Sequence, residues 1–472
     1  MNKKLKSILM LLLVCLLLTG CVSAAPDQGA AMHAETVQGE PTQEPVQETA
    51  QASLQEEAQN HVQDTAKDYA AVITLNMGSE TVKQQVSVKT FIDGDTTHFL
   101  VPESVVPSGV LKARFLAVNT PETTGLVEEY GKRASRFTKE KLTNAESIII
   151  ESDDGTWNLD STGERHLVWV WYKPAGEKEY RNLNIELLQN GLAKANSSAQ
   201  NRYGSTCMSA IQQAKDQKLS IYSGEKDPDF FYGDAVEMTI KELRRDPEKY
   251  NGVKVAFSGI VALNSDSTVF VEEYDAETGM YYGMAVYYGY GLNGAGLEIL
   301  NVGNEARIVG TLQYYEAGGT WQVSGLQYRM MKPDDPGNIQ LISQGHEGAY
   351  VLTAADTFQN GTVRLETEAG MEERPYAEMA MSTSISMKDL VVKDIYTTTD
   401  PSSSSKGAMT MTCEQNGTEI TVRTGVLLDA DMKVITQDAY LGKTVDIRGV
   451  VDYFEGEYQI KVFSARNITV HD

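Results

Sequence analysis

Residues 91–96 read Phe-Ile-Asp-Gly-Asp-Thr, and residues 114–123 read Arg-Phe-Leu-Ala-Val-Asn-Thr-Pro-Glu-Thr. The first stretch ends a β-prone run in a turn, where Gly94 lets the backbone bend and the carboxylates of Asp93 and Asp95 can converge. Calcium takes about 6–8 oxygen ligands, and carboxylates with backbone carbonyls supply them. Taken alone, the turn is more often an ordinary β-turn than a metal site. The second stretch begins as an alternating strand and ends in a loop.

A second acidic turn, residues 160–165 (Asp-Ser-Thr-Gly-Glu-Arg), ends in an arginine. Hydrolysis of a phosphodiester needs a metal, a group that positions or deprotonates water, and cations on the phosphate oxygens. Glu122, Arg114 and Arg165 complete that inventory, since an arginine fork can grip phosphate oxygens bidentately. Each has a structural alternative: the arginines as surface salt-bridge partners, and Glu122 as a helix cap. Taken together, the set favours phosphodiester chemistry.

The chain around these loops has the pattern of an α+β domain over residues 69–222. Short β-prone runs come first, and helical patterns follow at 128–144, 183–190 and 207–219. Strands followed by helices on one core are typical of this class.

The segment from about 86 to 222 resembles the staphylococcal nuclease (thermonuclease) family. Six stretches match in the family's order and spacing: FIDGDT, RFLAVNTPET, YGKRASRFT, GERHLVWVW, LLQNGLAK and AKDQKLSIY. The resemblance implies an OB-type five-stranded barrel with three helices, which hydrolyses DNA and RNA with calcium.

By position, the resemblance implies a calcium site. Asp95 would be a direct ligand, Asp93 would hold the ion directly or through water, and the backbone carbonyl of Thr120 would complete the protein ligands. The family has an aspartate where this chain has Asn119. An asparagine still offers a carbonyl oxygen, but one negative charge is lost, so we expect weaker calcium binding or tolerance of another divalent cation.

The resemblance also implies catalytic roles. Glu122 would position or deprotonate the attacking water, and Arg114 and Arg165 would stabilise the pentacoordinate phosphate. The family's tyrosines at the nucleotide pocket are not matched, and Tyr203 is a candidate replacement. The residues near those positions are Thr162, Ser197 and Ala199.

The amino end, residues 1–21, has the features of an export signal. Three lysines precede an apolar run, residues 8–18, that is too short for a stable membrane span. Leu18-Thr19-Gly20-Cys21 resembles the bacterial lipobox, in which the cysteine is lipidated; a cleaved signal without lipid is the alternative. We therefore expect an exported protein anchored to the outer face of the bacterial cell membrane through lipid on Cys21. Residues 22–68, acidic and rich in Gln and Glu, predict a disordered spacer.

The carboxyl-terminal half contains two copies of one pattern, over 234–332 and 376–472. In each copy a strand leads through a hairpin turn into another strand, which predicts two small OB-like β-barrels. Residues 223–233 and 333–375 are interpreted as a linker and a linker or irregular segment. The pair resembles the OB-fold modules of exported bacterial nucleases of the YhcR type. Their ligand stays open between nucleic acid, protein, saccharide and metal.

Charge is spread unevenly along the chain. The formal net charge is −24, which argues against a protein that coats nucleic acid through global charge. Residues 85–222 hold 16 basic and 17 acidic residues, whereas residues 223–472 hold 20 and 38. The first domain is therefore the only one neutral enough to approach a polyanion easily. Cys207 and Cys413 predict buried or unpaired thiols, and the six histidines lack the spacing of a zinc site.

The favoured hypothesis is a monomeric, surface-anchored, sugar-nonspecific nuclease that hydrolyses DNA or RNA by metal-assisted attack of water on phosphorus. The alternative is a non-catalytic lipoprotein that binds nucleic acid or a partner through a degenerate nuclease domain. The five residues Asp93, Asp95, Arg114, Glu122 and Arg165 favour the enzyme, and Asn119 favours the alternative.

Overall fold

The computed structural model describes residues 66–123, 125–289, 292, 294–316, 318–367, 370–400, 403 and 405–471. These belong to one compact unit, Ala66–Asp472. The predicted signal with its lipidation site Cys21, and nearly all of the predicted spacer, lie outside the described residues. Within the described ranges, every helix is too short or too polar to cross a membrane.

The first barrel is a closed ring of five strands. The strands of this region are β1 (Lys83–Phe91), β2 (Thr96–Leu100), β3 (Val110–Phe115), β4 (Val118–Asn119), β5 (Ala145–Glu151), β6 (His166–Pro174), β7 (Arg181–Asn182) and β8 (Lys194–Ala195). Their order is β3-β2-β1-β5-β6, and a parallel pairing of β3 with β6 closes the ring. The prediction of a five-stranded barrel with few helices is confirmed for this domain.

Three helices pack on this barrel: α1 (Gly131–Thr143), α2 (Leu183–Gln189) and α3 (Gly204–Asp216). Helix α2 begins where the Asn182 side chain accepts from the Ile185 amide at 3.1 Å, and a turn at Gly191 with φ 63° follows its end. The core of the domain contains the fully buried Trp169 and Trp171. Helix α1 starts three residues later than predicted because Tyr130, just before it, has a left-handed φ of 66°.

The second region of the chain is another β-rich sheet. Its elements are β9 (Val236–Glu237), α4 (Ile240–Arg245), β10 (Lys254–Ser265), β11 (Thr268–Asp275), β12 (Met280–Tyr287), α5 (Ala295–Ile299), β13 (Asn304–Tyr315), β14 (Thr320–Ser324) and β15 (Gln340–Gln344). Strands β13-β14-β12-β11-β10 follow one another, and β13 pairs with β10 to close a second five-strand ring, called the second barrel below. The predicted hairpin of the first repeat is β13–β14.

The third region repeats this arrangement. Its elements are β16 (Val351–Leu352), α6 (Ala355–Asn360), β17 (Thr362–Thr367), β18 (Gly370–Pro375), α7 (Tyr376–Met379), β19 (Ser384–Thr397), β20 (Met409–Gln415), β21 (Thr418–Thr424), β22 (Thr444–Phe454), β23 (Glu457–Val462) and β24 (Ile468–His471). In the sheet these strands lie side by side in the order β19-β20-β21-β23-β22, and β19 pairs with β22. Each of the three rings contains one parallel pairing, made by its third strand: β3 pairs with β6, β12 with β14, and β21 with β23.

The stretch 333–375, interpreted from sequence as a linker or irregular segment, is ordered into elements, so that interpretation is wrong. Strand β15 pairs with β13 at the edge of the second sheet, and β17 pairs with β18 in a hairpin. Their side chains help cover the core of the second barrel, where Ile339, Val363 and Leu365 are buried. Strand β15 shows no alternation of hydrophobicity, whereas β17 alternates, with Val363 and Leu365 buried, but is too short to stand out in a polar stretch.

Two buried charged side chains join the second and third regions. Arg244 donates to the backbone oxygen of Gly283 at 2.6 Å and to the Ser382 hydroxyl at 3.2 Å. Glu272, 1% exposed, accepts from the backbone amides of Ala349 and Ser384 at 2.6 and 2.8 Å. Buried charges are tolerated where such bonds satisfy them, so these contacts fix how the two regions meet.

Cys207 and Cys413, the cysteines within the described ranges, are both buried and free. Burial raises the pKa of each thiol to about 12, so both remain protonated and unreactive at neutral pH. The prediction of buried, unpaired thiols is confirmed.

Candidate active site

The turn between β1 and β2 is tightly built. The backbone amides of Ile92 and Asp93 both donate to the carbonyl oxygen of Thr96, at 3.1 and 3.2 Å. The amide of Asp95 donates to the Asp93 carboxylate at 2.9 Å. Gly94 is required for close packing, because a Cβ there would lie 2.8 Å from the Thr120 side chain and 2.9 Å from that of Ala134. The turn is thus pressed against the start of the second loop and helix α1.

Asp95 connects this turn to Arg114 and to the second loop. Its carboxylate is 1% exposed, accepts from the Thr120 amide at 2.7 Å and from the Thr96 hydroxyl at 3.1 Å, and forms an ion pair with Arg114. The antiparallel register of β2 and β3 places Arg114 directly opposite Thr96. Strand pairing therefore brings the first turn and the arginine together.

Asn119 is held by the same arginine. Nη2 of Arg114 donates to the Asn119 side-chain oxygen at 2.5 Å. The guanidinium therefore lies between the carboxylate of Asp95 and the amide of Asn119. Thr120, the next residue in the chain, is 2% exposed.

Glu122 lies on a loop that is closed by two hydrogen bonds between Glu122 and Glu128. The Glu122 amide donates to the Glu128 carboxylate at 3.0 Å, and the Glu128 amide donates to the Glu122 carbonyl at 2.9 Å. The Glu122 side chain is exposed to solvent on one side. The pKa of its carboxyl is raised, first by the partial burial against protein and next by the charge of Asp93, while Arg114 opposes the shift.

The side chain of Arg165 is oriented by Asp160, which lies in the same turn. Its Nε and Nη2 atoms lie 2.7 and 2.6 Å from the Asp160 carboxylate. The other Asp160 oxygen accepts from the Thr162 hydroxyl at 2.5 Å. Thr162 therefore supports the turn through its hydroxyl. The side chain of Arg165 is 34% exposed, which leaves it able to meet a ligand.

The structure brings the predicted residues into one cluster of interacting charged groups. Asp93 and Glu122 each interact electrostatically with both Arg114 and Arg165, and with each other. Burial raises the pKa of the Asp93 carboxyl, and the charge of Arg114 opposes that rise. Two carboxylates, a third at the edge and two guanidinium groups can bind a phosphate and a cation side by side.

The first turn carries carboxylate oxygens, the donor type that a hard divalent cation prefers. Asp93 is only 8% exposed, and burial disfavours its ionised form. A divalent cation would stabilise that charge, and carboxylate and carbonyl oxygens are the ligands that calcium prefers. Asp95 follows in the same turn, and the side-chain oxygens of Asp95 and Asn119 are engaged by Arg114 and the Thr120 amide.

Tyr203, the candidate for base stacking, is engaged inside the domain. Its ring meets Trp169 and Trp171 edge-on, with centroids 5.0 and 6.0 Å away, and the Arg202 guanidinium lies 5.0 Å from its centroid. Its hydroxyl is 3.5 Å from the Glu151 carboxylate. Tyr203 therefore serves the core of the domain, and the structure gives no support for its proposed role in base stacking.

Two residues of the second barrel reach the Glu122 loop and were missed by sequence reasoning. The Gln313 side chain donates to the carbonyl oxygen of Thr123, and the Ser324 hydroxyl lies 3.2 Å from the carbonyl oxygen of Gly125. They are 190 and 199 positions away from their partners. A sequence pattern records local periodicity, and no signal in it reports a contact across such a separation.

The closed five-strand barrel and its cluster of carboxylates and guanidinium groups have the features expected of a nuclease domain of the staphylococcal type. The sequence model of the staphylococcal nuclease homologue family matches residues 112–224. The chain is 34% identical to the thermonuclease of Staphylococcus intermedius over 139 residues, which are 29% of this chain and 74% of that protein. It is also 34% identical to the thermonuclease of Staphylococcus hyicus over 149 residues, 31% of this chain and 79% of that protein. The chain belongs to the staphylococcal nuclease homologue family.

Proposed function

We propose that this protein is a surface-anchored, sugar-nonspecific nuclease that hydrolyses phosphodiester bonds of DNA, RNA or both. The observation that carries the proposal is the convergence of Asp93, Asp95, Arg114, Glu122 and Arg165 on one pocket of a family barrel. A fold alone does not define an activity, but this inventory of groups matches the needs of phosphodiester hydrolysis.

Asp93, Asp95, Asn119 and the carbonyl of Thr120 are proposed to hold a divalent cation, calcium or another of similar preference. When bound, the cation neutralises negative charge that develops on the phosphate oxygens. Asn119 supplies an uncharged oxygen, so the site holds one negative charge fewer than its family counterpart.

The chain's own groups supply the remaining chemistry. Glu122 accepts a proton from, or orients, the attacking water, and its raised pKa makes it a better proton acceptor than an ordinary glutamate. Arg165, oriented by Asp160, binds a phosphate oxygen. Arg114 stays charged beside Asp95 and offers the second guanidinium to the phosphate.

The anchoring, the export and the accessory modules belong to the same proposal. Lipid on Cys21 would tether the protein to the outer face of the cell membrane, with residues 22–68 as spacer. The two carboxyl-terminal regions are proposed to be OB-like modules whose ligand stays open, and the protein is proposed to be a monomer.

Digestion of DNA and RNA by the purified full-length protein, with calcium and with chelator, tests the enzyme. Wild type should digest at least one substrate with a divalent cation, and chelation should abolish the activity. Glu122→Gln should lose about 10²-fold or more, since general-base catalysis contributes that much. Glu140→Gln, an exposed change on the same domain, is the matched control. If wild type and Glu122→Gln are equally inert with every divalent cation, the non-catalytic binding lipoprotein is the correct alternative.

A further inference from the structure

We propose that the second barrel is part of the catalytic unit: Gln313 and Ser324 act as positioning residues for the loop that carries Glu122. The inference rests on the proposed nuclease function. It concerns residues outside the family domain, on the facing strands β13 and β14.

The contacts run from buried side chains to loop backbone. The side-chain amide of Gln313 donates to the carbonyl oxygen of Thr123, the residue directly after Glu122. The Ser324 hydroxyl lies within hydrogen-bond distance of both the Gly125 carbonyl oxygen, at 3.2 Å, and the Gln313 side-chain oxygen. A hydroxyl has one proton, so it donates to one of these two acceptors at a time.

The fit around Gly125 is close as well as polar. Gly325, next to Ser324, has φ +72°, and a Cβ at that position would lie 2.8 Å from the Gly125 carbonyl oxygen. The backbone of the second barrel therefore approaches the loop as closely as a residue without a side chain allows.

Gln313 and Ser324 are buried, whereas another contact between the two barrels is exposed to solvent. Ser324 is 0% exposed and Gln313 is 7% exposed. Elsewhere on that surface, Lys139 pairs with Glu316 at 2.6 Å through side chains that are 49% and 44% exposed. An exposed ion pair contributes little, whereas a buried amide or hydroxyl that is left without a partner destabilises the structure substantially. The buried pair therefore ties the loop to the second barrel.

The loop needs such support because the Glu122 side chain is only partly buried. Its position follows from the backbone on either side. On one side the Thr120 amide is bonded to Asp95, and on the other the Glu128 amide is bonded to the Glu122 carbonyl. Gln313 and Ser324 hold the stretch between these bonds. A misplacement of about 1 Å in a reacting group can cost 10²-fold in rate.

The test compares Gln313→Met and Ser324→Ala with Glu316→Gln, a control that alters the exposed ion pair with Lys139 at the same surface. Steady-state kinetics on the full-length protein should show kcat reduced about 10-fold to 10²-fold in the first two variants, with KM changed less than about 3-fold. Hydrogen exchange should become faster for the backbone amides of residues 122–128 in those variants and stay as in wild type in the control.

A merely structural role would lower the melting temperature without the selective loss of kcat, and that result would overturn the proposal. Should Gln313→Met not fold, Ser324→Ala decides, because it removes only one oxygen. Unchanged exchange in residues 122–128 overturns the anchoring whatever the activity. Conversely, a wild type that is inert with every divalent cation, but whose loop protection depends on Gln313, overturns the nuclease function and leaves the anchoring in place.

Discussion

The Arg114 guanidinium donates to the Asn119 side-chain oxygen at 2.5 Å while it also pairs with Asp95. One guanidinium group thus contacts two side chains, Asp95 and Asn119, whose oxygens belong to the proposed metal site. With an aspartate at position 119, two carboxylates would share that arginine, and the pocket would gain a negative charge. With asparagine at this position, the site has one negative charge fewer with which to balance the proposed divalent cation and the arginine.

Asn119→Asp should strengthen divalent cation binding, because calcium affinity rises with the number of charged ligands. We expect half-maximal activity at a calcium concentration lower by about 10-fold, which corresponds to roughly 1.4 kcal/mol of binding free energy. A calcium titration of nuclease activity measures it. Asn144→Asp, which adds the same charge at an exposed position after helix α1, should leave the titration unchanged. Equal midpoints for Asn119→Asp and wild type would show that Asn119 does not contact the cation.

Gly131→Ala should impair activity while the barrel stays folded. A Cβ at Gly131 would lie 2.4 Å from the carbonyl oxygen of Glu122, so the loop or the start of helix α1 has to move. We expect a reduction of kcat of about 10-fold or more and a loss of stability of about 1–3 kcal/mol, the usual cost of overpacking.

Gly155→Ala is the control for this change, because a Cβ there makes only an ordinary contact of 3.6 Å with the Glu80 carbonyl oxygen. Kinetics and urea unfolding of both variants provide the measurement. Wild-type kcat in Gly131→Ala would mean that the Glu122 backbone can shift without consequence for catalysis.

Acidification should destabilise the nuclease barrel through two histidines. Partial burial lowers the pKa of His98 and of His166, and the charges of Lys112 and Lys89 lower that of His98 further. The unfolded chain then binds more protons than the folded one, so this contribution to stability is present above about pH 6.5 and is lost as pH falls through the folded pKa values.

Urea unfolding at pH 7, 6 and 5 measures this dependence in wild type and in the double variant His98→Gln/His166→Gln. The difference in unfolding free energy between wild type and the variant should shrink or reverse as pH falls. Glu272 and the other carboxyl groups are present in both proteins, so their titration cancels in the comparison. A difference that is constant with pH would contradict the assignment.

Glu272→Ala should loosen the junction between the second and third regions. The change leaves the backbone amides of Ala349 and Ser384 without their acceptor, and each buried unpaired donor costs about 1–3 kcal/mol. We expect a loss of about 2–5 kcal/mol in urea unfolding. Glu277→Ala, which removes a 72% exposed carboxylate paired with Lys241, should cost less than about 1 kcal/mol. Similar losses for the two variants would show that Glu272 does not hold the junction.

The sequence led to the first barrel and to the residues of its pocket for a physical reason. The turn at Asp93 and the strand that carries Arg114 are local patterns, whereas the pairing of β2 with β3 that brings them together was seen only in the structure. The pocket residues lie within a stretch that resembles one family from end to end. By contrast, β15 and the β17–β18 hairpin were missed, because these strands are short and lie in a stretch rich in polar residues and turn residues.

The sequence by itself determined the barrel class, the pairing of acidic turns with arginines and the asparagine at position 119, since these follow from residue type, spacing and resemblance. Only the tertiary structure showed Arg114 bonded to Asn119, and Gln313 and Ser324 of the second barrel bonded to the loop after Glu122. The reason is that hydrogen bonds between residues almost 200 positions apart depend on how two barrels dock, and neither barrel's own periodicity contains that information.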